Sequence, residues 1–159
     1  PQRETFAPFE RTIDVPCEVV ALDEWLPNLQ HLTLIKCDIE GADLLALRGA
    51  ARLIEQHRPT ILCEIEPWFL EGFGIAPQAF SEFFSARDYV LYHYERVNGH
   101  RYLRPASFDR LGTYGSHNYV LIHPSRRERL AQFLTSAGDV ATSAVPQSGC
   151  AESQPNFPS

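Results

Sequence analysis

The chain of 159 residues contains no methionine, few cysteines and no surplus of basic residues. Its 14 lysines and arginines stand against 20 aspartates and glutamates, which gives a formal net charge of −6. Because proteins bind nucleic acids through clustered positive charge, this balance argues against a nucleic-acid-binding protein. An initiator methionine before Pro1 could have been removed, but its absence still raises the question of whether the chain is a whole protein.

Long apolar runs are also missing. No stretch approaches the ~20 apolar residues that a membrane helix requires, and the first residues lack the apolar segment of a signal peptide. We therefore expect a cytoplasmic protein with no membrane partner. The four cysteines are far apart, a spacing that predicts neither a zinc site nor a disulfide framework, so we expect reduced thiols and no metal: they are Cys17, Cys37, Cys63 and Cys150.

Two apolar runs predict the central structural unit. Residues 32–38 and 60–65 have the length and composition of strands that are buried on both faces. Between them, apolar residues recur at intervals of three and four over 42–57, which is typical of one amphipathic helix, and Arg58-Pro59 ends it. Strand, helix and strand form a βαβ unit, so we expect an α/β fold in which the two strands are parallel.

The elements around this unit are shorter. We predict a strand over 17–22, a short helix capped by Asp23, a helix that begins at Pro77, strands over 89–94 and 118–123, a hairpin turn at Asn98-Gly99 and a final helix from Ser125 to Leu134. Residues 1–16 form a lead-in segment and residues 17–135 the folded domain. Residues 136–159 are rich in Ser, Ala, Pro and Gln, a composition that predicts a disordered tail.

Acidic residues follow both buried strands. Asp38 and Glu40 come after the first strand, and Glu64 lies at the end of the second. In parallel sheets, ligands bind outside the carboxyl ends of the strands, so these carboxylates are expected to face one crevice. Lys36 lies two residues before Asp38 and therefore on the same side of its strand. The four residues are candidate catalytic groups.

Each of these residues also has a purely structural explanation. Asp38 or Glu40 could stabilise the positive end of the following helix, and Lys36 could neutralise a carboxylate. A metal site is the less favoured alternative, since no histidine stands at ligand spacing near the cluster. The convergence of three carboxylates and a lysine on one edge favours a functional site.

Further candidates lie near the same edge. If the last strand is antiparallel to the others, His117 and Asn118 begin it at the edge where Asp38 lies, which makes His117 a second candidate base. Trp68 follows the second buried strand and could form the wall of a substrate pocket, although packing is the simpler interpretation for Trp68 and Trp25 alike.

Four segments closely resemble the FkbM family of S-adenosylmethionine-dependent methyltransferases. They are Val20–Leu26, Leu34–Leu44, Leu47–Ala50 and Arg58–Ile65, and the resemblance extends over about Val19 to Pro124. The lysine, x, aspartate, x, glutamate, glycine core, followed by leucine, arginine, glycine, alanine, is the specific part. Cys37 and Asp43 depart mildly from the family pattern, which usually has a β-branched apolar residue and often a glutamate there.

The resemblance implies a class I, Rossmann-like methyltransferase fold with an antiparallel last strand, and S-adenosylmethionine as the cofactor. It also implies methyl transfer to a hydroxyl of a small or glycosylated molecule, such as a sugar or a polyketide. Asp38 is then expected nearest the methyl group, with Lys36 holding the carboxylates ionised. Glu40 and Glu64 would orient the substrate, and Trp68 and Asn118 would contact it.

One part of the family pattern is absent. The family binds its cofactor chiefly through a glycine-rich loop after the first strand and an acidic residue after the second, and only 31 residues precede the strand that would be the fourth. The cofactor-binding residues are therefore unassigned, and we expect the carboxyl-terminal half of a methyltransferase. A half-sheet leaves a strand edge unpaired, so we also expect self-association.

Two other functions compete with this interpretation. The chain could be a truncated or degenerate remnant that acts at most as a binding module. The clustered carboxylates alone would also suit a metal-dependent site for phosphate groups.

Overall fold

The computed structural model describes residues 15–97 and 100–134. Most of the predicted lead-in segment, the Asn98-Gly99 turn and the predicted tail from 136 to 159 lie outside the described residues. No helix in the described ranges is long and apolar enough to cross a membrane.

Five strands form one sheet. They are β1 (Leu34–Cys37), β2 (Thr60–Glu64), β3 (Val90–Val97), β4 (His100–Pro105) and β5 (Asn118–Ile122). Their order across the sheet is β1-β2-β5-β3-β4, and β1 and β2 are parallel. β5 lies antiparallel between β2 and β3, and β4 is antiparallel to β3. The expected α/β, Rossmann-like class with an antiparallel last strand is confirmed.

Helices cover one face of this sheet. They are α1 (Leu22–Trp25), α2 (Asp43–Arg48), α3 (Ala51–His57), α4 (Pro67–Gly72) and α5 (Gln78–Ser85). Side chains such as Ile61, Tyr119 and Leu121 pack against Leu44, Ile54 and Phe84 to form the main core, since alternate strand residues point to this face. The other face carries a smaller cluster around Val120 and an open groove of about 760 Å³.

The single helix predicted over 42–57 is interrupted at Gly49. The Gly49 carbonyl accepts a hydrogen bond from the Asp23 N–H at 2.9 Å, and a Cβ on Gly49 would lie 3.4 Å from the Ala21 Cα. The chain around α1 therefore packs closely against the break between α2 and α3. Helical periodicity continues through this break, which is why the sequence did not reveal it.

Asp23 caps a different helix from the one predicted. α1 begins at Leu22 without a side-chain cap, so the prediction that Asp23 caps this helix is wrong. Instead, the Asp23 carboxylate accepts hydrogen bonds from the backbone N–H groups of Arg52 at 2.8 Å and Leu53 at 3.0 Å. These are free N–H groups in the first turn of α3, so Asp23 fills the role of an N-cap from 29 residues away.

Four further expectations are wrong. β1 is not buried on both faces, because Leu34 is 53% exposed and Lys36 is exposed on the side away from the main core. Residues 17–21 form no strand, because in the described part of the chain no other strand pairs with them. Trp25 is 67% exposed and does not pack in the core. The final α-helix is replaced by two 3₁₀ segments, Pro124–Arg126 and Glu128–Phe133, and the His123 side chain accepts from the Ser125 N–H there.

We predict that Asp23→Ala lowers the free energy of unfolding by about 1–2 kcal/mol, because two N–H groups of α3 lose their acceptor. Urea unfolding followed by circular dichroism measures this. The exposed neighbour Glu24 provides the control, and Glu24→Ala should change stability by less than about 0.5 kcal/mol. Equal losses in the two variants would show that Asp23 does not cap α3.

Candidate active site

The parallel pairing of β1 with β2 brings the acidic residues together. Lys36 pairs with Leu62 and Cys37 with Cys63, so both strands end at the same edge. Carboxylate oxygens of Asp38, Glu40 and Glu64 lie within 4.8 Å of one another there.

Lys36 and Glu64 both affect the pKa of Asp38. The Lys36 ammonium donates a hydrogen bond to the Asp38 carboxylate, which holds the pKa of Asp38 below its ordinary value and raises the pKa of Lys36. Burial and the neighbouring Asp38 raise the pKa of Glu64. The two adjacent carboxyl groups therefore have opposite pKa shifts, an arrangement that suits groups with different proton-transfer roles.

The turn after β1 has a left-handed backbone. Glu40 has a φ of 55° and Gly41 a φ of 100°. A Cβ on Gly41 would lie 2.5 Å from the Phe69 carbonyl oxygen, so only glycine fits there. The Asp43 carboxylate accepts from the Gly41 N–H at 3.2 Å. These contacts fix the turn that carries Glu40 against α4.

His117 and Asn118 lie at the same edge because β5 is antiparallel to β2. Asn118 pairs with Glu64, and the Ile65 N–H donates to the His117 carbonyl at 2.8 Å. The His117 Nδ1 lies 2.6 Å from Glu66 Oε2. The imidazole of His117 is therefore paired with a carboxylate that sequence reasoning did not single out.

A cavity of about 420 Å³ opens beside the acidic residues. It is lined by the predicted Lys36 and Asn118 together with Cys37, Leu62, Tyr94, Glu95, Arg96, Arg101, Ser116 and Tyr119. Sequence reasoning missed the wall from β3, although the Asn98-Gly99 turn indicated that β3 and β4 pair. Trp68 does not line this cavity; it is 62% exposed on α4, with its ring 5.1 Å from that of Phe69.

Asp38 itself lines a second cavity of about 320 Å³ on the helix side of β1, together with Ile39, Leu22 and Leu47. Lys36 and Cys37 line both cavities. The Lys36–Asp38 ion pair therefore lies between two spaces, each of which is large enough for a small polar group.

The two buried cysteines also meet below this edge. Cys37 and Cys63 face each other across the strands. The Cys37 thiol lies 3.8 Å from the Asp43 backbone carbonyl, and the Cys63 thiol lies 3.8 Å from the Asp43 carboxylate. The hydrogen bond with Cys37 and burial raise the pKa of the Cys63 thiol. The two cysteines are 26 positions apart in the sequence, which concealed this contact.

Comparison with known proteins identifies one family. The model of the methyltransferase FkbM domain matches residues 2–102. This range includes α1 to α5, β1 to β3 and the three carboxylates, and it ends within β4, so β5 with His117 lies beyond it. No curated protein and no solved structure matches the chain. Because the match covers more than half of the sequence, the chain belongs to the FkbM family of methyltransferases.

Proposed function

We propose that the chain is the acceptor-binding half of an S-adenosylmethionine-dependent O-methyltransferase, which methylates a hydroxyl group on a small or glycosylated molecule. One observation supports this most strongly. The Lys36 ammonium favours the ionised form of Asp38 at the carboxyl end of β1, where Asp38 lines the 320 Å³ cavity and could accept a hydroxyl proton.

The described residues fit the part of such a site that holds the methyl group and its acceptor better than the part that holds the adenosine. S-adenosylmethionine supplies an electrophilic methyl group on a positively charged sulfur, and the carboxylate of Asp38, whose ionised form Lys36 favours, matches a positive charge. The adenosine end has no evident partner, because the residues from 15 to 33 contain only the four-residue helix α1 and no glycine. The residues present therefore fit the methyl-acceptor side and not the adenosine side.

Asp38 is the proposed base. An acceptor hydroxyl beside β1 would donate its hydrogen bond to the Asp38 carboxylate, and this carboxylate would take the proton as the oxygen is methylated. The ammonium of Lys36 favours the ionised carboxylate before the reaction. Most of the rate enhancement would come from holding the hydroxyl oxygen in line with the methyl group.

The neighbouring groups orient the acceptor. The carboxyl groups of Glu40 and Glu64 lie beside Asp38, and the Asn118 amide lines the 420 Å³ cavity, so these groups are the proposed contacts to the acceptor. His117, paired with Glu66, is the second candidate base. Trp68 is exposed on α4 and could contact only a part of the acceptor that extends out of the cavity.

The walls of the 420 Å³ cavity favour a polyhydroxylated acceptor such as a sugar. Tyr94 provides aromatic surface, while Arg101, Ser116 and Asn118 provide hydrogen-bonding groups. Such a mixture suits sugar rings, which have apolar faces and polar edges. A polyketide hydroxyl is the alternative acceptor of the same reaction class.

A non-catalytic remnant is the competing function, and the missing adenosine partners in the described residues favour it. The reading frame upstream of Pro1 separates the two. A strand followed by a glycine-rich loop within about 100 residues, on the usual size of a domain, would support an enzyme. A stop codon there would support a remnant.

We predict that the 159-residue chain binds S-adenosylmethionine no more tightly than about 1 mM, which corresponds to roughly −4 kcal/mol. The reason is that the adenosine end finds no partner in the described residues. Isothermal titration calorimetry measures the affinity. A dissociation constant in the micromolar range would contradict the assignment of this chain to the acceptor side alone.

We predict that Asp38→Asn lowers kcat by about 10²–10⁴-fold, because the amide cannot accept the hydroxyl proton. The assay is methyl transfer to a hydroxyl acceptor by the chain extended with the coding sequence upstream of Pro1. Asp88→Asn is the matched control: Asp88 is exposed, lies before β3 at the opposite edge of the sheet, and has a φ of 60° that asparagine tolerates. Equal rates for Asp38→Asn and Asp88→Asn would remove Asp38 from the mechanism.

A further inference from the structure

A second group of residues that could bind a metal ion lies in the core, apart from the exposed carboxylates. Cys37 and Cys63 are 6% and 2% exposed, and Asp43, at the start of α2, is fully buried. One ligand atom from each of the three residues lies within 4.8 Å of the other two. The register of β1 and β2 places the two sulfurs side by side, and the turn after β1 returns Asp43 to them.

The Asp43 carboxylate is sparsely satisfied for a buried charge. One oxygen accepts from the Gly41 N–H at 3.2 Å, and the other faces the Cys63 sulfur at 3.8 Å, where a thiol is only a weak donor. Within residues 15–97 and 100–134, no basic side chain forms an ion pair with Asp43. Buried carboxylates normally have a cation or several hydrogen-bond donors as partners. A bound cation would supply the positive partner that Asp43 lacks among the described residues.

The donor set identifies the class of that partner. Two sulfurs and one carboxylate oxygen suit zinc, which binds thiolates at about 2.3 Å and carboxylates at about 2.0 Å in tetrahedral geometry. Those lengths place a sulfur and an oxygen ligand about 3.5 Å apart. The Cys63 sulfur and Asp43 oxygen are 3.8 Å apart, so only a small adjustment is needed for both to bind one ion.

We propose that Cys37, Cys63 and Asp43 bind one Zn²⁺ ion. Binding replaces the two thiol protons, which are released to solvent, by two zinc–sulfur bonds and one zinc–oxygen bond. Cys37 lines both the 420 Å³ and the 320 Å³ cavity, so of the three ligands it lies nearest to solvent, and a water molecule would be the fourth ligand. The ion joins β1, β2 and the first turn of α2, and so fixes the strand end from which Asp38 and Glu40 project.

The test uses the 159-residue chain with Cys17→Ser and Cys150→Ser, reduced and freed of metal by a chelator. Calorimetry with Zn²⁺ should give one site per chain, and the midpoint of thermal unfolding should rise and return to its metal-free value after chelation. Co²⁺ in place of Zn²⁺ should produce a thiolate charge-transfer band. Mg²⁺ at equal concentration should produce none of these effects, because it does not bind thiolates.

Two variants locate the ion. Cys37→Val replaces the thiol by a small apolar residue suited to a buried strand, so the metal-free protein should stay folded while Zn²⁺ affinity falls by more than about 100-fold. Glu40→Gln removes a carboxylate from the exposed cluster only, so Zn²⁺ affinity should be unchanged. Absence of Zn²⁺ binding, equal affinity in Cys37→Val, or loss of affinity in Glu40→Gln would overturn the proposal.

Discussion

The in-register pairing of two short parallel strands, β1 and β2, brings together the candidate functional residues of this protein. Asp38 and Glu64 are 26 residues apart in the sequence, as are Cys37 and Cys63, and each pair meets only because Cys37 lies opposite Cys63. Because successive side chains of a strand point to opposite faces, the same register buries the thiols on the helix side and leaves Lys36 on the other. A shift of one residue would separate every one of these contacts.

The charges at the strand ends follow from this pairing. Lys36 stabilises the ionised Asp38, whereas burial and the neighbouring Asp38 disfavour ionisation of Glu64. Two carboxyl groups that are chemically alike thereby acquire different protonation behaviour from their surroundings. The Gly41 turn packs against the Phe69 backbone and holds Glu40 beside them, so the local geometry depends on a glycine as well as on charge.

The sequence predicted the parts of this arrangement that depend on local pattern. Continuous apolar runs identified β1 and β2, and the rule that ligands bind at the carboxyl ends of parallel strands singled out Asp38 and Glu64. The parts it missed depend on contacts between distant segments. Asp23 caps α3 and not its own helix, and His117 pairs with Glu66. No periodicity or spacing encodes such partners, because they follow from how the elements pack.

Lys36 favours the ionised form of Asp38 next to Glu64, and carboxyl NMR titration of the 159-residue chain tests this most directly. The pKa of Asp38 should lie below the ordinary value for aspartate and that of Glu64 above the ordinary value for glutamate. In Lys36→Met the pKa of Asp38 should rise, since the ammonium that favours its ionised form is gone. Ordinary pKa values for both carboxyl groups, together with no change in Lys36→Met, would contradict the account.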